Sequence, residues 1–173
     1  VYNERNLKIV VFIRHAKSSW DQPLLADYHR PVAKRGFRDI ELVGNYLRKG
    51  KIIPDFVLSS GALRAYTTAS KICELIEFSG EISVSDRLYF EGSGAIINEI
   101  RQLHERYSRV FLFSHNPALN EICLDLLGLN VSNLPTCSCV FTASHCSNWT
   151  EWKPEKVKVT QLLRPKELRN EHK

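Results

Sequence analysis

The chain of 173 residues has no methionine, initiator included, as expected of a start that has been processed or trimmed. It has no apolar run near the ~20 residues that cross a bilayer, so no membrane partner is expected. Residues 1–6 carry no apolar signal-peptide core, and nothing in them points to export. Cysteine is scarce and odd in number, at five, which argues against a disulfide framework. Reduced thiols and a cytoplasmic setting are expected instead. Internal repeats and low-complexity linkers are missing as well. The length then fits one domain over residues 1–173, enough to enclose a proper core.

What is present leans basic, with a net charge of +5 and a pI near 9.0. Much of the basicity gathers late, in Lys153, Lys156, Lys158, Arg164, Lys166, Arg169 and Lys173. Glu155, Glu167 and Glu171 interrupt it, so a solvated, frayed tail is expected rather than a nucleic-acid footprint. Trp20, Trp149 and Trp152 lack the interleaving with basic residues that a nucleic-acid platform shows. A basic protein still attracts an anionic substrate.

Apolar runs bounded by polar residues predict strands at residues 8–13, 56–58, 82–84 and 110–113. Helical spacing predicts helices over 34–49, 62–78, 94–106 and from Pro117 to about Leu127. Gly50 stands where the first helix wants its C-terminal cap. Residues 20–32, with Pro23 and Pro31, read as a loop beside the first strand end. Two late strands, 139–143 and 156–163, follow. Strands alternating with helices predict an α/β fold: three layers, with a mainly parallel central sheet and helices on both faces. The last two strands add an antiparallel pair.

Ligands in such sheets bind outside the carboxyl ends of the strands. The first strand delivers Arg14 and His15 to that end. The second leads to Arg64 at a helix start, and the fourth to His115, also at a helix start. Arginine offers a planar fork of donors to phosphate oxygens, and helix N-termini favour anions. Histidine can attack phosphorus and carry the phosphoryl group. Each of these residues has an ordinary structural use. Their recurrence at equivalent strand ends is what predicts a phosphoryl pocket, with either histidine as nucleophile.

The string Phe12-Ile-Arg14-His15-Ala16-Lys17-Ser18 resembles the Arg-His-Gly-x-Ser signature of the histidine phosphatase superfamily. The stretch from Ser59 through Arg64-Ala-Tyr-Thr67-Thr-Ala69 is similar to that family's second motif, and Ser114-His115-Asn116 to its third. Asp27-Tyr-His-Arg30-Pro31, with Gly36, resembles the Asp-Arg-Pro-Leu stretch of its SixA-like phosphohistidine phosphatases. The resemblance covers residues 8 to about 128. It implies a phosphoglycerate mutase-like fold and a metal-independent phosphatase without cofactor. It implies His15 as the nucleophile, Arg14 and Arg64 as phosphoryl clamps, and His115 as a donor to the same group. By the same resemblance Ser18 and Asp21 approach the phosphate or substrate. Ala16 stands where the superfamily usually has glycine, and Asp21 where asparagine is frequent.

Alkyl phosphate hydrolysis needs a proton donor for the leaving alkoxide. Between Arg64 and His115 the candidates are Glu91, ahead of a Gly-Ser-Gly turn, and Asp86; a solvent-exposed loop acid is the simpler reading of Glu91. Phosphohistidine needs such an acid less, because its imidazole leaves neutral once protonated by water. The expected partner is therefore a phosphohistidine protein, with a small phosphorylated metabolite as the alternative and a non-catalytic phospho-ligand module as a third. A monomer or weak dimer is expected. The cluster Cys137, Cys139, His145 and Cys146 matches none of the usual zinc spacings and reads as packing. Cys73 and Cys123 fall on apolar helix faces.

Overall fold

The computed structural model describes residues 7–169. Its sheet has six strands: β1 (Leu7–Arg14), β2 (Phe56–Ser59), β3 (Ile82–Val84), β4 (Arg109–Ser114), β5 (Cys139–His145) and β6 (Val157–Leu163). The order across the sheet is β3-β2-β4-β1-β5-β6. The first four in that order run parallel, while β5 pairs antiparallel with β1 and β6 with β5. The fold is therefore the expected α/β type, a mixed sheet flanked by helices.

β1 explains itself. Covered on both faces, it cannot alternate polar with apolar residues, and Val10 to Ile13 are all buried. Side chains still alternate between faces. Val11 and Ile13 join Phe111, Phe113 and Val57 against α1 (Lys34–Lys49) and α2 (Leu63–Leu75), through Ile40, Val43, Leu47 and Ile72. Val10 and Phe12 join Val110, Leu112 and Leu58 on the other face. There they meet α4 (Gly92–Arg101), α5 (Ala118–Asn120), the π-helical turn Glu121–Leu126, and both Trp149 and Trp152. A short helix α3 (Arg87–Phe90) precedes α4, a 3-10 turn spans Asp27–His29, and α6 (Pro165–Leu168) follows β6.

One cap is as expected in place but not in angle, and two helix bounds are corrected. Gly50 is the C-cap of the first helix, as expected, but it keeps helical angles (φ −76°, ψ −2°) and Lys51 takes the positive φ of 50°. Ile52 N–H then closes on the Leu47 carbonyl, which satisfies the end of the helix after Lys49. The second helix stops at Leu75 rather than 78, because Glu77 adopts φ 57° and turns Phe78 N–H back to the Cys73 carbonyl. The third predicted helix lies at Gly92–Arg101, earlier than 94–106, and ends where Gln102 and Leu103 N–H close in tight turns on the Glu99 and Ile100 carbonyls.

The basic tail is also not frayed as far as Arg169. β6 adds to the sheet, Glu167 bonds the Arg164 N–H as a cap, and Arg169 pairs with the buried carboxylate of Asp39. Glu171 and Lys173 lie outside the described residues. Among the described residues no helix is long and apolar enough to cross a membrane.

Candidate active site

Adjacent parallel strands β1 and β4 align Arg14 with Ser114, so His15 and His115 leave the sheet side by side. Their rings are 4.9 Å apart at 48°. On the far side of β4, β2 ends at Ser59 opposite Phe113, and the chain turns into α2 with Arg64 in its first turn. Arg64 Nε lies 3.4 Å from His15 Nε2. The four residues expected from separate strand ends are thus brought together, and His15, Arg64 and His115 are each buried.

His15 is held in one tautomer. Its Nδ1 is 2.8 Å from the Ala16 carbonyl, which can only accept, so the ring proton sits on Nδ1 and Nε2 keeps its lone pair. Ala16 is fixed in turn: its N–H donates to Thr68 Oγ1, whose hydroxyl donates to the Arg64 carbonyl. Burial, backed by the charges of Arg64 and Arg14, lowers the His15 pKa to about 4 against the opposing bond to Ala16. Burial, then His15 and Arg64, lowers that of His115 to about 3. Both imidazoles are neutral near pH 7.

Arg14 is buttressed by a segment far along the chain. Its Nη1 donates to the Leu134 carbonyl, its N–H to Ser138, and its own carbonyl accepts from Cys137 N–H. Asn116 Nδ2 reaches Asn133 Oδ1 at 2.7 Å and the Leu134 carbonyl at 3.2 Å. Asn120 accepts from Leu134 N–H and donates to Asn133. The residue after His115 therefore steadies the loop that aims Arg14. Buried polar atoms normally find partners. Here Arg14 Nε, His115 Nδ1 and Asn116 Oδ1 are buried without one among the described residues, at the ends of β1 and β4. Arg14 Nε is a donor of the kind an anion would satisfy, and His115 Nδ1 is one wherever it carries the ring hydrogen.

Asp27, from the 3-10 turn, opens the stretch that resembles the SixA-like phosphatases, a resemblance that gave it no role at the site. Its carboxylate receives Arg64 Nη2, Arg30 Nη1 and the Tyr89 hydroxyl, each at 2.8 Å. Burial works to raise its pKa, but the bonds from Tyr89, Arg30 and Arg64 outweigh it and hold the group well below the usual carboxylate range. Tyr89 also meets the His115 ring edge-on at 5.3 Å. Nothing local in the sequence marks Tyr89; only the tertiary fold brings α3 over the site. The Asp-x-x-Arg spacing of Asp27 and Arg30 was the available signal for the ion pair.

Ser18 Oγ accepts from Arg30 Nη2 at 2.7 Å. Arg30 is itself buried, with Trp20 stacked 3.2 Å from its guanidinium carbon. Asp21 is exposed and lines a cavity of about 200 Å³ with Arg30, Lys34 and Phe37. Glu91 is half-exposed and paired with Arg87 at 3.0 Å. Asp86 accepts the Tyr28 hydroxyl. None of Ser18, Asp21, Glu91 and Asp86 bonds the histidine–arginine group among the described residues.

Cys137 and Cys139 are buried on the α1–α2 face and Cys146 on the other, so the cysteine cluster is split by the sheet. All five cysteines are unpaired and buried. Among the described residues no three His, Cys, Asp or Glu side chains converge as a metal site.

No family model matches the chain. An uncharacterized protein of Mycobacterium leprae is 30% identical over 124 residues, 70% of this chain and 74% of the relative. An uncharacterized chloroplastic protein of Arabidopsis thaliana is 26% identical over 151 residues, 82% of this chain and 69% of its own. Among solved structures, one from Agrobacterium tumefaciens assigned to phosphohistidine phosphatase SixA superposes with TM-score 0.78 at 22% identity, covering 91% of this chain and 98% of that one. The protein histidine phosphatase SixA in complex with tungstate gives 0.78 at 20%, covering 92% and 99%. A phosphoglycerate mutase of Bacillus anthracis gives 0.71 at 12%, covering 99% and 100%.

Proposed function

The chain belongs to one family with the uncharacterized mycobacterial protein and has the SixA-like fold of the histidine phosphatase superfamily. From that premise we propose that it is a metal-independent phosphatase working through a phosphohistidine on His15. The observation that carries this is the unprotonated Nε2 of His15, with the ring hydrogen on Nδ1 donated to the Ala16 carbonyl and Arg64 Nε–H directed at Nε2 from 3.4 Å.

In the first step His15 Nε2 attacks phosphorus, and the bond from phosphorus to the leaving atom breaks. Arg14, Arg64 and His115 surround the charge that spreads over the phosphoryl oxygens. The bond from Nδ1–H to Ala16 steadies the positive charge on the phosphorylated ring. In the second step water attacks phosphorus, the electron pair of the P–N bond returns to Nε2, and inorganic phosphate leaves with the water's oxygen and both its hydrogens, which it shares with solvent according to pH. Nδ1 keeps its hydrogen throughout.

The substrate we propose is phosphohistidine on a protein. Its imidazole, protonated by solvent on the other nitrogen, leaves neutral and needs no enzymic acid. The carboxylates at hand fit that need: Asp27 is ionised and triply bonded, and Glu91 is paired with Arg87. An apolar lip also flanks the site, where Phe90, 70% exposed, stacks on Tyr28 and packs beside Tyr89. Exposed apolar surface next to a site suits a protein segment. A small phosphorylated metabolite is the second reading. A cytoplasmic setting goes with the unpaired thiols.

A phosphohistidine protein and a panel of phosphate esters, assayed side by side, test this. An acid-labile phosphoryl label on His15 is expected, with a loss of at least about 10³-fold in His15→Ala. Full turnover by His15→Ala would overturn the proposal.

A further inference from the structure

Ser60 directly follows β2, at the start of the turn into α2, and is fully buried. Its Oγ accepts the Ala62 N–H at 3.3 Å and lies 2.8 Å from His115 Nε2. A buried hydroxyl needs an acceptor for its own hydrogen. Among the described residues His115 Nε2 is the acceptor within reach. That nitrogen must then be the bare one, and the ring hydrogen sits on Nδ1. The opposite arrangement, Nε2–H donating to Ser60, leaves the hydroxyl hydrogen without an acceptor. It also turns a bare lone pair at Nδ1 toward a site built for anions.

We propose that Ser60 is a positioning residue that fixes His115 as its Nδ1–H tautomer, so that a neutral histidine supplies an N–H donor to the phosphoryl oxygens. The proposal rests on the reading of this site as a phosphoryl pocket. Nδ1 is buried and has no partner among the described residues, so it is a donor waiting for an acceptor that the protein does not supply. Burial keeps the ring neutral, which leaves the tautomer, and not the charge, to decide what His115 offers. The two histidines thus carry their hydrogen on the same nitrogen for opposite ends. In His15 the hydrogen is tied up by the Ala16 carbonyl and the lone pair is presented. In His115 the lone pair is tied up by Ser60 and the hydrogen is presented.

The test is the ring-nitrogen NMR spectrum of the phosphate-free protein near pH 7, with His115 assigned by its loss in His115→Gln. The wild type is expected to show a protonated Nδ1 and a bare Nε2. Ser60→Ala should shift His115 toward Nε2–H and lower kcat on the phosphohistidine protein about tenfold, less than deletion of a whole donor. Ser60→Thr, which keeps the hydroxyl, should restore both. Thermal unfolding of each variant separates a folding defect from a tautomer effect. A wild-type His115 with its hydrogen on Nε2, or ring shifts unmoved in a folded Ser60→Ala, overturns the proposal. A wild type that turns over no phosphorylated substrate while His115 is Nδ1–H overturns the phosphatase reading and supports the tautomer assignment.

Discussion

Asp27 Oδ2 sits 2.8 Å from Arg64 Nη2, and the Asp27 carbonyl accepts from Nη1 of the same guanidinium. The tip of Arg64 is thereby committed, and its Nε edge is turned to His15. The carboxylate is itself fixed by Arg30, whose guanidinium is buried and covered by Trp20. Positioning errors of about 1 Å cost roughly a hundredfold in rate. Asp27→Asn, which keeps the shape but weakens two charged bonds, is expected to lower kcat/KM by about 10- to 100-fold. Steady-state kinetics check this, and an unchanged kcat/KM would show that Arg64 needs no such anchor.

The pH profile should have its acid limb where His15 gains a proton. Burial lowers that pKa to about 4, so kcat/KM is expected to hold from neutrality down to near pH 5 and fall around 4. An ordinary histidine would lose activity near 6.5. A limb at 6.5 would contradict the buried, neutral nucleophile.

Stability follows the same groups with a definite sign. In the unfolded chain His15 and His115 take up protons near pH 6.5, whereas in the folded protein they stay neutral down to about 4 and 3. The unfolded state therefore binds more protons between those values, and stability declines as pH falls through that window. The contribution at stake is on the order of 3 kcal/mol for His15 alone. Denaturant titrations between pH 7 and 4 should show the decline, and His15→Gln should reduce it. Asp27 acts in the same direction at lower pH: its depressed pKa stabilises above its unfolded value and is lost below it.

Glu91→Gln separates the two substrate readings. The Glu91 carboxylate is half-exposed and held by Arg87, away from the histidines' bonds. Turnover of a phosphohistidine protein is expected to stay within about twofold, as for a surface substitution. A large selective loss on alkyl phosphates would instead make Glu91 the proton donor and favour a small-metabolite substrate.

Gly36→Ala probes the seat of the site. A Cβ there would come within 2.5 Å of the Lys17 carbonyl and 2.6 Å of Val32. The first contact is backbone and cannot swing aside. A loss of about 1–3 kcal/mol is expected from such overpacking. Chemical denaturation measures it, and activity should fall with it because Lys17 follows the His15-Ala16 pair.

Much of the fold was readable because its signals are local. The run Val10 to Ile13 can only be a strand buried on both faces, and Ile40, Val43 and Leu47 mark one face of α1. Helix ends were less legible. Lys51 and Glu77 take left-handed angles that glycine usually takes, so no glycine marks where the chain turns away. The late basic segment looked like a solvent-bound tail because its charges are partnered by distant groups, such as Asp39 with Arg169.

The sequence by itself gathered Arg14, His15, Arg64 and His115 into one candidate phosphoryl pocket, because parallel strands end on one side of a sheet and each strand end could be seen in the chain; the choice of His15 over His115 as nucleophile came from the family resemblance. The tertiary structure alone decided how those groups are held. Asp27 reaches Arg64 from a turn, Tyr89 comes over His115 from α3, and residues 133–138 brace Arg14 from 120 residues away in the case of Leu134. These contacts join segments with no shared periodicity. They also fix the tautomers of His15 and His115, which depend on single hydrogen bonds to Ala16 and Ser60 and have no signature in the order of residues.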